Sequence, residues 1–385
     1  MSRFVGGNAI TLLENGSEFF PALLHAIDAA EHEIFLESYI FKNDATGKLI
    51  AGALRRAAVR GVQVRLLVDG FGARGFVTSL MPELAADGVG VLVYRRELRT
   101  MSVRRHRLRR MHRKLAVVDG AVAFVGGINI VDDRLPGAAG RPRYDYSVRV
   151  EGPLLEPILN ATYRLWRMVS WASLNRRRHQ PLVVPPRTDP VGDVRAAFLV
   201  RDNIRHRRDI EDAYLDAIAQ AEREVVIACA YFFPGRRFRQ ALVDAATRGV
   251  EVMLLLQGVS DHPMQSYATR ALYPFFLARG IRLFEYHYSF LHAKVAVVDA
   301  RWATVGSSNI DPFSLLLARE ANVVVDDERF ALGLRASLAR AQAEGARELR
   351  REDWRRLPVM RRIASWFAYQ IVRLAIGIAG YGGMH

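Results

Sequence analysis

The chain repeats itself. "HRKLAVVDGAVAFVGGINI" at 112–130 returns as "HAKVAVVDARWATVGSSNI" at 292–310, with His, Lys, Asp, Gly and Asn in step. Upstream, "ALLHAIDAAEHEIFLESYIF" at 22–41 is echoed by "AYLDAIAQAEREVVIACAYFF" at 213–233, and "ALRRAAVRGVQVRLLVDG" at 53–70 by "ALVDAATRGVEVMLLLQG" at 241–258. Two copies of one pattern imply two copies of one folding unit, which constrains the architecture before any single residue is considered. Each copy reads as amphipathic helix, apolar strand, amphipathic helix ending at Gly61 or Gly249, apolar strand, and then the His-Lys-Asp segment. That alternation predicts an α/β fold built from two sandwich repeats. The prolines of "QPLVVPPRTDP" cannot continue a helix or a central strand, so they predict a linker. The expected boundaries are a first lobe over 1–179, a linker over 180–190, a second lobe over 191–345 and a basic, apolar tail over 346–385.

"KLAVVD" and "KVAVVD" are apolar and β-branched enough to read as buried strands, with His and Lys at the entering end. A period of two puts His112 and Lys114 on one face, and His292 and Lys294 likewise. The glycines after the next short strand allow a tight turn that brings the amides of Asn129 and Asn309 close to a ligand. Imidazole, ammonium and carboxamide then converge in each copy. These groups suit the gripping and attack of a phosphate: a nucleophile or acid, a point charge, and neutral donors for the oxygens. A single such match could be accidental, and a buried histidine is usually just a hydrogen-bonded core residue. Two copies extended by Gly and Asn at the same spacing rule out accident.

Composition narrows the partners. A formal net charge of +15 in 385 residues implies an acidic partner, either nucleic acid or an anionic membrane surface. The single cysteine, Cys229, forbids an intramolecular disulfide and a thiolate zinc site, and fits a reducing compartment. The N-terminus "MSRFVGGNAITLLENG" lacks the apolar core of a signal peptide.

The paired pattern HxK(x)4D(x)6G(G/S)xN resembles that of the phospholipase D superfamily over nearly the whole chain. "NGSEFFPALLHAIDAAEHEIFLESYIF", "RMHRKLAVVDG", "RYDYSVRVEGP" and "FLHAKVAVVD" are similar to bacterial cardiolipin synthases of the type without two N-terminal transmembrane helices. The resemblance implies that the two repeats pack face to face about a pseudo-twofold, that one active site is built from both motifs, and that phosphodiester transfer needs neither metal nor cofactor. It implies His112 as nucleophile and His292 as acid and then base; the symmetry of the site leaves the reverse open. Lys114, Lys294, Asn129 and Asn309 would stabilise the transition state. The motif aspartates Asp119 and Asp299, counted with the site as part of its pattern, sit at the far end of each strand from the histidines and are expected to be structural. Orientation of the imidazoles is implied to come from downstream acids, which map to Asp145 and Glu320. The implied reaction joins two phosphatidylglycerol molecules into cardiolipin and glycerol through a phosphatidyl-histidine. A hydrolytic phospholipase D, another phosphatidyltransferase, a nuclease of the superfamily and an idle lipid-binding scaffold are the competing readings. No nucleic-acid partner is expected. The implied location is the cytoplasmic face of a bacterial inner membrane, bound peripherally or monotopically.

Three weaker signals remain. The basic runs 103–114 and 175–180 adjoin the motif and could meet lipid phosphates. Glu37 lies in the matching strand of the first copy with no assigned role. From Ile363 to Tyr381 the tail is apolar apart from Gln370 and Arg373, with aromatic residues near both ends. It reads foremost as a helix lying in a membrane interface, ahead of a buried docking helix and of a true span.

Overall fold

The computed structural model describes residues 4–95, 109–133, 141–173, 181–259, 263–356 and 358–376. The basic run 175–180, the start of the run at 103–114 and the last residues of the tail lie outside them. In the first half the strands are β1 (Val5–Glu14), β2 (Glu33–Ser38), β3 (Gln63–Asp69), β4 (Gly90–Tyr94), β5 (Lys114–Val118), β6 (Val122–Gly126) and β7 (Tyr146–Glu151). In the second half they are β8 (Val194–Arg201), β9 (Glu224–Cys229), β10 (Glu251–Gln257), β11 (Arg282–Tyr286), β12 (Lys294–Val298), β13 (Trp302–Gly306) and β14 (Glu320–Asp326), with β15 (Ala346–Leu349) added.

These strands form one sheet, in the order β15-β11-β10-β9-β12-β13-β14-β8-β1-β7-β6-β5-β2-β3-β4. Read outward from its centre, each half has the same order, so the duplication seen in sequence recurs as pseudo-twofold topology. The halves join edge to edge where β1 pairs antiparallel with β8 through an irregular register between Val5 and Asn8. Side-chain alternation then divides the core. Leu115 and Val117 of β5 share one apolar cluster with Val295 and Val297 of β12, so the two sheet faces pack on each other. Ala116 and Val118 point instead into an outer layer covered by the first half's helices, as Ala296 and Val298 do in the second half. Each fully buried valine contributes roughly 1.5 kcal/mol or more.

Local signals set the helix limits. The helix Ala45–Val59 starts where the Asp44 carboxylate accepts the Gly47 N–H. It is followed by Gly61 at φ 93°, and its counterpart Arg236–Thr247 by Gly249 at φ 92°, left-handed positions that glycine fills at no steric cost. The linker is pinned rather than free. Arg65 and Glu33 form a buried pair at 2.6 Å; Arg65 also donates to the Pro181 carbonyl, and Glu33 accepts the Val183 and Val184 N–H groups.

One expected boundary changes. Residues 346–349, assigned above to the tail, pair antiparallel with β11 and extend the second half's sheet. Their short polar run carries no apolar periodicity, so only tertiary pairing makes it a strand.

Candidate active site

The two histidines lie just ahead of equivalent strands, β5 and β12, and each is held by the opposite half. The His112 N–H donates to the Arg319 carbonyl and the Arg319 N–H to the Arg110 carbonyl. Across the site, Tyr144 N–H donates to Phe290 O and His292 N–H to Tyr144 O. These bridges bring each histidine beside the acid of the other repeat. His112 Nδ1 is 2.9 and 3.1 Å from the Glu320 carboxylate oxygens, and His292 Nδ1 is 2.6 Å from Asp145 Oδ2. A carboxylate can only accept, so each Nδ1 carries the proton and each neutral ring leaves its Nε2 lone pair free.

The acids are supported differently. Glu320 accepts a hydrogen bond of 2.5 Å from the Ser307 hydroxyl. Asp145 accepts the Tyr146 N–H at 2.9 Å and lies against Gly127, where a Cβ would overlap its carboxylate. The motif thus carries Ser beneath the longer acid and Gly beneath the shorter one. Burial opposes ionisation of both, yet Lys294 and His292 hold Asp145 below the usual carboxylate range, and His112 and Lys114 do the same for Glu320.

The bases feel one another. Burial, then the Lys294 charge, pushes His292 down to about 3. Burial also lowers His112, against the pull of Glu320. Lys114 falls to about 7, from burial first and with Lys294 adding to it, and Lys294 is lowered mainly by burial. Both ammonium groups donate to the carbonyl of their own histidine, and Lys294 Nζ also sits 2.9 Å from His292 Nδ1. Asn129 accepts the Ile40 N–H on its amide oxygen at 3.1 Å, which fixes the orientation of the amide. Asn309 is equally buried, and its Oδ1 has no partner among the described residues.

Asp119 and Asp299 lie elsewhere. Asp119 accepts the N–H groups of Glu31, His32 and Glu33, and Asp299 those of Glu222, Arg223 and Glu224. They fasten the turn that enters β2 or β9, at the strand ends away from the histidines. Their carboxylates are spent on these backbone N–H groups rather than turned toward the histidines.

Other neighbours had no clear signal in the sequence. Tyr39 meets the His112 ring edge-on at 4.7 Å, and the Lys114 ammonium lies 5.3 Å from its centroid. Glu37 pairs with Arg113 in the buried layer below; their counterparts Ala228 and Ala293 are apolar. At the mouth, Arg74 and Arg110 flank the Phe71 ring.

The family model described as "Cardiolipin synthase, PLD-like domain" matches residues 23–151 and 214–341. Cardiolipin synthase B of Shigella flexneri is 42% identical over 342 residues, covering 86% of this chain and 80% of that protein. Cardiolipin synthase A of Pseudomonas putida is 32% identical over 359 residues, covering 91% and 71%. Among solved structures, phosphatidylserine synthase of Haemophilus influenzae superposes with a TM-score of 0.70 at 13% identity, covering 97% of this chain and 95% of that one. That last likeness concerns the fold.

Proposed function

The chain belongs to the cardiolipin synthase family of phospholipase D-like proteins, and from that premise we propose how its two histidines share one phosphatidyl transfer. The protein is a phosphatidyltransferase acting on phospholipids, and its reaction joins two phosphatidylglycerol molecules into cardiolipin and glycerol.

His112 is the nucleophile. It is the more open ring, with 16% of its side chain exposed against 9% for His292, and no ammonium touches its Nδ1. Its Nε2 attacks phosphorus as the bond to the departing glycerol oxygen breaks. His292, weakly basic beside Lys294, gives up a proton readily and delivers it to the leaving alkoxide. In the free site both rings are neutral; the arriving phosphodiester anion favours uptake of one proton from solvent at His292, because an opposite charge favours the charged form, while His112 stays neutral to attack. In the second step the acceptor hydroxyl passes its proton to His292, its oxygen bonds to phosphorus, and the bond to His112 breaks. Lys114, Lys294, Asn129 and Asn309 face the charge on the equatorial oxygens. The carrying observation is the crossed pairing, His112 with Glu320 and His292 with Asp145, which makes each half incomplete alone.

A membrane surface is the place of reaction, at the cytoplasmic face of the inner membrane. Among the described residues no helix is long and apolar enough to cross a membrane. The helix Val359–Ile376 buries Ser365, Ala368 and Val372 against the second half. At 3.6 residues per turn its opposite face carries Ile363, Trp366, Phe367, Ile371 and Leu374, all exposed, with Arg362 and Arg373 on one flank and Arg361 in the first turn. An exposed apolar stripe edged by arginine fits the headgroup boundary.

Purified protein given labelled phosphatidylglycerol tests the assignment. Cardiolipin and glycerol are the expected products; phosphatidic acid as the main product at every acceptor concentration would replace transfer with hydrolysis.

A further inference from the structure

Beside His292 lies an open cavity walled in part by Gly16, Asn129, Asp133, Arg143, Asp145 and His292. Its arginine contrasts with three neighbours in the first half. Other arginines around the first half's strands meet carboxylates: Arg65 with Glu33 and Arg113 with Glu37, both buried, and the mouth residue Arg110 at 3.8 Å from Asp69. Arg143 forms no ion pair among the described residues, and its buried Nε has no hydrogen-bond partner. The guanidinium stands 5.0 Å from the centroid of Phe290, whose ring stacks along His292. Its backbone is fixed, since the Arg143 N–H donates to the Asp133 carbonyl and the neighbouring Tyr144 is bonded to both Phe290 and His292. A desolvated donor without a partner is costly, and the cost is recovered when an anion binds.

The feature is one-sided. In the second repeat Ala318 stands where Arg143 does, and Phe313 where Asp133 does. Only the His292 end of the site therefore offers this cation. Asp133, an acid on the same wall, disfavours an anion anywhere but against Arg143.

The geometry points to this cavity as the seat of the acceptor lipid's headgroup, with Arg143 holding the acceptor's own phosphodiester. This rests on the transfer reading above. In the second step the acceptor's primary hydroxyl must lie beside His292 to give it a proton, while its oxygen replaces His112 Nε2 on phosphorus. A phosphatidylglycerol acceptor carries its phosphate on the other end of that glycerol, on the Arg143 side. Water and neutral alcohols have nothing for the guanidinium to hold, so the residue selects an anionic acceptor.

The test compares two soluble acceptors, glycerophosphoglycerol and labelled glycerol, competing for the phosphatidyl group that the full chain takes from phosphatidylglycerol in detergent micelles. Wild type is expected to favour glycerophosphoglycerol at least tenfold in kcat/KM. Arg143→Gln should bring the ratio near unity, chiefly through KM, and Arg143→Lys should recover part of it. No preference in wild type, or equal loss of both products with the ratio intact in Arg143→Gln, overturns the proposal. Should Arg143→Gln lack a cooperative melting transition, the wild-type ratio and the Arg143→Lys ratio decide alone. A wild type that forms cardiolipin but neither soluble-acceptor product also overturns the proposal, whereas one that forms no transfer product at all contradicts the transfer reading instead, a distinguishable failure.

Discussion

The two halves share strand order, motif and the glycine stops at Gly61 and Gly249, yet the two ends of the candidate site are not equivalent. At the first end an open histidine faces Glu320, which is steadied by the Ser307 hydroxyl. At the other a more enclosed histidine is gripped by both Asp145 and Lys294, and the acid rests on Gly127. Duplication gives each half a histidine, a lysine and an asparagine, and each histidine pairs with the carboxylate of the other half. The difference between the ends then allows different jobs.

The largest effects should follow from removing either ring. His112→Ala and His292→Ala should each lower turnover by roughly 10^3-fold or more although they lie in different repeats, because nucleophile and acid act as a unit. Substantial cardiolipin formation by either variant would break the shared site.

Next come the crossed acids. Asp145→Asn and Glu320→Gln should each cost about 10^2-fold. Gly127→Ala should resemble Asp145→Asn, because its methyl displaces that carboxylate, whereas Ser307→Ala, losing one hydrogen bond to a charged group, should cost only about tenfold. Equal effects for the two small-residue substitutions, measured as kcat/KM, would show that the ends are supported alike.

A subtler contrast is electrostatic. His292 has its folded value near 3 against 6.5 for a free histidine. Its folded value is depressed, so the unfolded chain takes up the proton first as pH falls, and stability drops from about pH 6.5 toward 3. Lys114, near 7 against 10.5, acts in the same sense over a higher window. The melting temperature should thus rise with pH across both windows, and inorganic phosphate should raise it more at pH 6 than at pH 9. A phosphate effect that grows with pH would contradict the clustered-base account.

The smallest effect belongs to the C-terminal helix. Phe367→Glu on its exposed face should weaken binding to anionic vesicles several-fold in a sedimentation assay while leaving the melting temperature unchanged. Truncation is a poorer test, since Ala368 and Val372 belong to the second half's core. A lower melting temperature in Phe367→Glu would assign the whole helix to the fold.

Much of this was legible in the chain because repeated motifs report local structure. The strands "KLAVVD" and "KVAVVD", the helix stops at Gly61 and Gly249, and the groups His112, Lys114, His292 and Lys294 follow from apolar runs and spacing. Asp119 and Asp299 also read as distant, since a strand length separates them from the histidines. The exchange of Asp145 and Glu320 did not show, because it depends on how the sheet folds over at β1 and β8, where Val5 pairs with Ala196 and Asn8 with Val194, a long-range pairing for which no local pattern exists. Arg143 was equally silent: one arginine among many in a basic chain, marked only by its place on the cavity wall beside His292. The difference between Gly127 and Ser307 was visible in the sequence, but its meaning waits on knowing which carboxylate lies above.

The division of labour is tested most directly with a phosphatidyl p-nitrophenyl diester, whose leaving group needs no proton. With this donor His292→Ala should release a burst of about one nitrophenolate per chain and retain a phosphatidyl group that peptide mapping places on His112, while His112→Ala should give no burst. A burst from His112→Ala, with the adduct on His292, would reverse the roles and contradict the account.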